Sequence, residues 1–131
     1  MAKITPFLMF QGNAEEALTF YMDVISESEI LHMERYGPDE MGKEEGTLKS
    51  ATVTFKGQEF MFFESPIKHE FDFTPSFSIF ITCDTEEEID SYYQALSQDG
   101  QALMPLGDYG FSRKFGWVND RFGVSWQMEW K

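Results

Sequence analysis

This chain of 131 residues has one cysteine, two histidines, and ten basic residues against twenty-three acidic ones. A lone cysteine, Cys83, excludes an internal disulfide and fits a reducing compartment, so the cytoplasm is the expected location. A formal charge of −13 with a sequence pI near 4.4 leaves little of the basic surface that neutralises phosphate. No nucleic-acid partner and no membrane partner are expected on that ground, and the acidity itself reads as a solvated surface. No apolar run approaches the length of a membrane span, and residues 1–6 lack the apolar core of a signal peptide. His32 and His69 each lack a second His or Cys at ligand spacing and read as solvated or locally bonded side chains. Cys83 precedes Asp84 with no adjacent base, which disfavours a nucleophile. There is also no glycine-rich strand-to-helix turn of the kind that cradles S-adenosylmethionine or a dinucleotide.

What the chain does have is aromatic mass. Phe, Trp and Tyr make up 17% of it, fourteen of them Phe, enough for the dense interior of one domain spanning 1–131. The most informative stretch is 115–131, which reads as strand, tight turn, strand. Asp120 can bond its own backbone in the turn, and Gly123 is free to take positive φ. On the closing strand Val124, Trp126, Met128 and Trp130 point one way, while Ser125, Gln127 and Glu129 point the other. Such a sheet has two occupied sides, one against helices and one facing a wet cavity.

Earlier in the chain, residues 4–10 read as a strand, followed by Asn13 as N-cap with Glu16 at the third helical position, a variant capping box. Ala14, Ala17, Leu18, Tyr21 and Ile25 recur at helical spacing, so 14–25 is expected to be a helix with one buried stripe. Strands are expected at 29–36, 48–55 and 58–64, the last two joined by a hairpin turn at Lys56-Gly57. The pattern then restarts. A strand at 77–83 leads to the capping box Thr85-Glu86-Glu87-Glu88 and to a helical stripe of Ile89, Tyr92, Tyr93 and Leu96, closed by Gly100. Short strands at 101–105 and 111–119 flank a loop at 106–110 that could lid the cavity.

An offset of 72 aligns Tyr21 with Tyr93, Phe20 with Tyr92, and the cap Asn13 with the cap Thr85. Each half therefore reads strand, helix, then three strands: module one at about 1–65, a linker at about 65–75 and module two at about 76–131. Self-similarity at half the chain length points to a duplicated unit. The expected fold is α+β, two tandem βαβββ modules forming a curved eight-stranded sheet or cup with the helices outside.

The stretches Ile4-Thr5-Pro6-Phe7-Leu8-Met9-Phe10, Gly12-Asn13-Ala14-Glu15-Glu16-Ala17, Phe20-Tyr21 and Phe115 to Trp126 carry a family resemblance over nearly the whole chain. The chain resembles the vicinal oxygen chelate superfamily, which includes glyoxalase I, extradiol dioxygenases and bleomycin-resistance proteins. More closely it resembles the PhnB-like branch, also labelled 3-demethylubiquinone-9 3-methyltransferase-like. The resemblance implies a homodimer, and it implies metal-ligand positions on the first and last strand of each module. Those positions are Pro6, Glu64, Ser78 and Gln127 here. Pro has no side-chain donor and Ser is a poor ligand, so only Glu64 suits a divalent ion, and neither a metal nor another cofactor is expected.

The expected ligand pocket is lined by Leu8, Phe62, Glu64, Ser78, Phe80, Trp117, Ser125 and Gln127. Within it Glu64 is the candidate catalytic group, a carboxylate for proton transfer or for holding a cationic or hydroxylated ligand. Ser78, Ser125 and Gln127 would form a polar constellation opposite it. Each feature has a plainer reading: a strand-end carboxylate, polar side chains satisfied by water, aromatic residues in an ordinary core. The functions left in play are binding or sequestration of a small apolar or aromatic molecule, a metal-free enzyme using Glu64, and the metal-dependent lyase or dioxygenase chemistry that this donor set supports least.

Overall fold

The computed structural model describes residues 2–131. The chain separates into two compact units, one running up to Glu70 and the other Phe71–Lys131. In the first, β1 (Phe7–Phe10), α1 (Ala14–Val24), β2 (Ser28–Arg35), β3 (Leu48–Phe55) and β4 (Gln58–Glu64) follow one another. In the second the order repeats as β5 (Ser78–Cys83), α2 (Glu86–Ser97), β6 (Gln101–Gly107), β7 (Lys114–Asn119) and β8 (Ser125–Trp130). The fold is α+β, and each βαβββ unit carries its own four-stranded sheet. The strand orders are β1-β4-β3-β2 and β5-β8-β7-β6, with the first and last strands of each unit side by side and parallel. Among the described residues no helix is long and apolar enough to cross a membrane.

Period-two alternation decides which side chains each sheet buries. In the first unit Leu8, Phe10, Phe60 and Phe62 share the face that α1 covers with Ala17, Leu18 and Tyr21. Phe62 stacks on Phe10 at 5.4 Å between ring centroids and meets Tyr21 edge-on at 5.9 Å. In the second unit Ile81, Val118, Trp126 and Met128 pair with the buried stripe Ile89, Tyr92 and Leu96 of α2.

These stripes correct the offset between the halves. Leu18, Tyr21 and Ile25 are buried in α1 and just beyond it, and Ile89, Tyr92 and Leu96 in α2, so the helices align at 71, not 72. Tyr21 answers to Tyr92. The sheet registers move Glu64 as well: it pairs with the last residue of β1, Phe10, and the corresponding partner of Cys83 in the second unit is Trp130. Gln127, paired with Phe80, answers to Met61, paired with Phe7. Glu64 and Gln127 are thus not equivalent, and they sit on opposite faces of their sheets.

The two helix starts are capped differently. Thr85 accepts the Glu88 amide at 3.1 Å, and the Glu88 carboxylate accepts the Asp84 amide at 2.8 Å, a reciprocal cap. Asn13 occupies the N-cap position of α1, yet its side chain makes no capping bond. The sequence closes α2 at Gly100, and in the structure it is Asp99 that takes the left-handed conformation after the helix, at φ 58°. Glycine is needed at 100 for space, because a Cβ there would lie 2.2 Å from the Asn119 carbonyl oxygen.

Candidate functional site

The hairpin β7–β8 builds the site. Asp120, almost wholly buried, accepts the Phe122 and Val124 amides on one carboxylate oxygen and the Trp126 indole N–H on the other. Those three bonds set the turn, and Gly123 completes it at φ 90°. The turn in turn sets the register Asn119–Ser125, Trp117–Gln127 and Phe115–Glu129. With Trp126 and Met128 taken by the core, the residues between them must stand on the other face.

On that face a hydrogen-bonded chain runs across three strands. The Trp117 indole N–H donates to the Ser125 hydroxyl at 2.8 Å, and Ser125 meets the Ser78 hydroxyl at 2.7 Å. The Gln127 amide nitrogen donates to Ser78 at 3.1 Å. Ser125 is only 2% exposed, so its partners are what make its burial tolerable. Gln127 is half-buried, and among the described residues its carbonyl oxygen accepts no protein donor. Phe80 stands in register beside Gln127, 51% exposed. Five of the eight expected pocket residues, Ser78, Phe80, Trp117, Ser125 and Gln127, therefore share one face of one sheet.

Around them lies an aromatic wall that sequence reasoning did not select. Phe115 lies 6.3 Å from Phe80, ring to ring, and Phe111 stands against Phe115 at 5.0 Å, T-shaped. Tyr109 is edge-on to Phe115 at 6.2 Å and stacked on Phe111 at 6.3 Å, its hydroxyl donating to the Pro105 carbonyl at 2.5 Å. Phe111 was expected in a strand, but β7 begins at Lys114 and Phe111 belongs to the loop after β6. Its ring and that of Tyr109 are 60% and 42% exposed. Phe115 and Glu129 had a usable signal, since the alternation that selects Trp117 and Gln127 selects them too. Tyr109 and Phe111 had none, because a loop ring is placed by tertiary contact.

The other three expected residues belong to the first unit. Leu8 and Phe62 do not line a pocket: Phe62 has 0% exposure, and both are covered by α1. Glu64 is 2% exposed at the N-terminus of α1, where its carboxylate accepts the Ala14 amide at 3.0 Å and the Gly12 amide. The Lys43 ammonium lies 3.4 Å away. A carboxylate from β4 thus supplies the cap that Asn13 does not, satisfying the orphan amide of Ala14, bonding the Gly12 amide just before the helix, and placing negative charge at the positive end of the helix dipole. An open cavity of about 190 Å³ adjoins it, bordered by Gln11, Lys43 and Lys68.

The ligand positions implied by the superfamily resemblance do not fit a metal ion. Glu64 is engaged by two amides and an ammonium, Ser78 and Gln127 are bonded to each other, and Pro6 brings no side-chain donor. Among the described residues no three His, Cys, Asp or Glu side chains gather into a ligand set. His32 pairs with Glu34 at 3.2 Å and His69 meets the Ser65 hydroxyl at 3.3 Å, local contacts in both cases.

Comparison with known proteins adds the family. A putative 3-demethylubiquinone-9 3-methyltransferase, PhnB protein, from Bacillus cereus is 54% identical, with a TM-score of 0.93 over 99% of this chain and 100% of that one. Protein YjdN of Escherichia coli K12 is 22% identical over 138 residues, covering 95% of this chain and 92% of its own. A glyoxylase/bleomycin resistance protein/dioxygenase domain from Frankia sp. EAN1pec shares the fold at 11% identity, with a TM-score of 0.66 over 99% and 92% of the two chains. The family model described as 3-demethylubiquinone-9 3-methyltransferase matches residues 2–129, and the chain belongs to that PhnB-like family, built on the glyoxalase/bleomycin resistance/dioxygenase fold.

Proposed function

We propose that this protein binds a small, largely apolar or aromatic molecule on the open face of its second sheet, without help from a metal. The observation that carries this reading is the exposure of Phe80, Tyr109 and Phe111 beside a hydrogen-bonded polar chain. Exposed aromatic side chains gathered on one face mark a contact surface more often than they mark chance. The rings offer stacking area, and the Gln127 carboxamide, held by Ser78, offers one oriented polar contact. Neither unit is a doubly wound parallel sheet, so the methyltransferase in the family's description finds no support in this architecture.

Two further readings accompany it. A homodimer is supported by apolar side chains left exposed on edge strands, Phe7 on β1 and Ile30 and Leu31 on β2, and light scattering on the eluting protein tests it. A cytoplasmic location is supported by the single buried cysteine.

Amide chemical-shift mapping with a panel of neutral aromatic compounds tests the binding reading. Shifts are expected around Phe80, Phe111, Phe115, Trp117 and Gln127, and they should weaken in Phe80→Ala. A panel that moves no amide on this face, or that consistently maps to the first unit, removes the reading.

A further inference from the structure

We propose that the molecule held on this face is an organic cation, a substituted ammonium carrying or flanked by apolar groups. The inference rests on the binding reading above and deepens it. Its key residue is Glu129, which stands directly opposite Phe115 in the β7–β8 ladder and beside Thr82 across β5. Directly opposed side chains in such a ladder have their Cβ atoms about 5 Å apart. Glu129 therefore borders the aromatic wall made by Phe80, Tyr109, Phe111 and Phe115. It is half-buried, and among the described residues its carboxylate has neither an ion-pair nor a hydrogen-bond partner.

Two nearby cations, Lys114 and Arg113, are committed elsewhere. Lys114 reaches Glu86 and Asp90 of α2 at 2.8 Å each. The Arg113 guanidinium lies 4.0 Å from the Trp130 ring centroid and donates to the Lys131 carbonyl. An anion without a counter-ion at the border of a wall that exposes Phe80, Tyr109 and Phe111 is a cation site in two respects. The carboxylate supplies charge, and the aromatic faces supply the quadrupole that draws a cation within about 6 Å of a ring centroid. A net charge of −13 adds a long-range field of the same sign. An anionic ligand would meet repulsion from every one of these groups. A neutral one would leave the Glu129 carboxylate partly desolvated with nothing in exchange.

A pair of probes of equal shape isolates the charge. (4-Hydroxyphenyl)trimethylammonium and 4-tert-butylphenol differ in one central atom, nitrogen bearing a positive charge against neutral carbon. Titrated by amide chemical shifts at low salt, the ammonium compound should bind about tenfold more tightly. Glu129→Gln should remove most of that preference, by weakening the ammonium probe and, with no carboxylate left to desolvate, by holding 4-tert-butylphenol no less tightly, and its melting curve should match the parent's. Phe111→Ala should weaken both probes. Equal or tighter binding of the neutral probe on the same amides overturns the cation inference and leaves the binding reading standing. A preference that survives in Glu129→Gln also overturns it. If neither probe shifts those amides, the cation reading fails, and if the neutral panel is silent as well, the binding reading falls with it.

Discussion

Glu64→Gln is the substitution that separates an architectural carboxylate from a catalytic one. Gln keeps the length and one acceptor oxygen, so the Ala14 amide can stay bonded. The second oxygen becomes an NH2 group that faces the Gly12 amide, donor against donor. A charge-assisted hydrogen bond lost in a buried site costs about 1.5–3 kcal/mol. Removing an anion from a helix N-terminus costs roughly 0.3–1 kcal/mol more, and losing the ion pair to part-buried Lys43 at 3.4 Å adds about 0–1 kcal/mol. Relief of the carboxylate's own desolvation acts in the opposite direction. The net expectation is a destabilisation of about 2–3 kcal/mol. At roughly 3–4 °C per kcal/mol for a chain of this size, the melting temperature should fall by about 6–12 °C. Urea unfolding followed by circular dichroism should show a lower midpoint with an unchanged slope. Binding on the second sheet should keep its parent affinity. Stability within about 0.5 kcal/mol of the parent, combined with lost binding or lost turnover, would refute this reasoning and restore Glu64 as the functional acid.

Three other perturbations follow from the same structure. Ser125→Ala strands the Trp117 indole N–H and breaks the link to Ser78, and should cost about 1–3 kcal/mol by thermal melting while weakening ligand on the second sheet. Tyr36→Phe removes a buried hydroxyl that donates to the Glu64 carbonyl at 2.6 Å and should cost about 1–1.5 kcal/mol at neutral pH. Burial, chiefly, raises the Tyr36 phenol above its ordinary value of 10.0, so the folded state holds its proton longer than the unfolded chain. Its contribution is complete below pH 10.0 and is lost as pH rises through the raised value, and an alkaline stability titration of the Phe variant should lack that limb. Gly100→Ala places a Cβ 2.2 Å from a backbone oxygen and should lower the melting temperature more than Gly116→Ala, whose Cβ would meet the Tyr93 ring at 2.8 Å.

Much of the fold was legible because it is written in short-range periods. Strand alternation in 48–55 and 58–64 matched β3 and β4 residue for residue, and the turn between them has Lys56 and Gly57 at φ 50° and 86°. The helical stripes and the Thr85 cap were equally local. The same alternation placed Ser78, Phe80, Trp117, Ser125 and Gln127 together, since each strand's pleat and the tight Asp120 turn leave only one face for them. Glu129 was legible too, since the same alternation puts it on the face of Ser125 and Gln127.

What the sequence by itself determined, then, is which elements form and which residues share a face of each, because both follow from spacings of two to four residues; which face of the first sheet packs on a helix it did not, since Leu8, Phe62 and Glu64 lie on the covered side. The tertiary structure alone decided what Glu64 does, since its partners Gly12 and Ala14 lie some fifty positions away and no local period links them. It also decided that Tyr109 and Phe111 wall the second sheet, and that the two helices align at 71. A one-residue shift on a helix or a strand exchanges a buried side chain for an exposed one, and only packing against a partner surface chooses between the two.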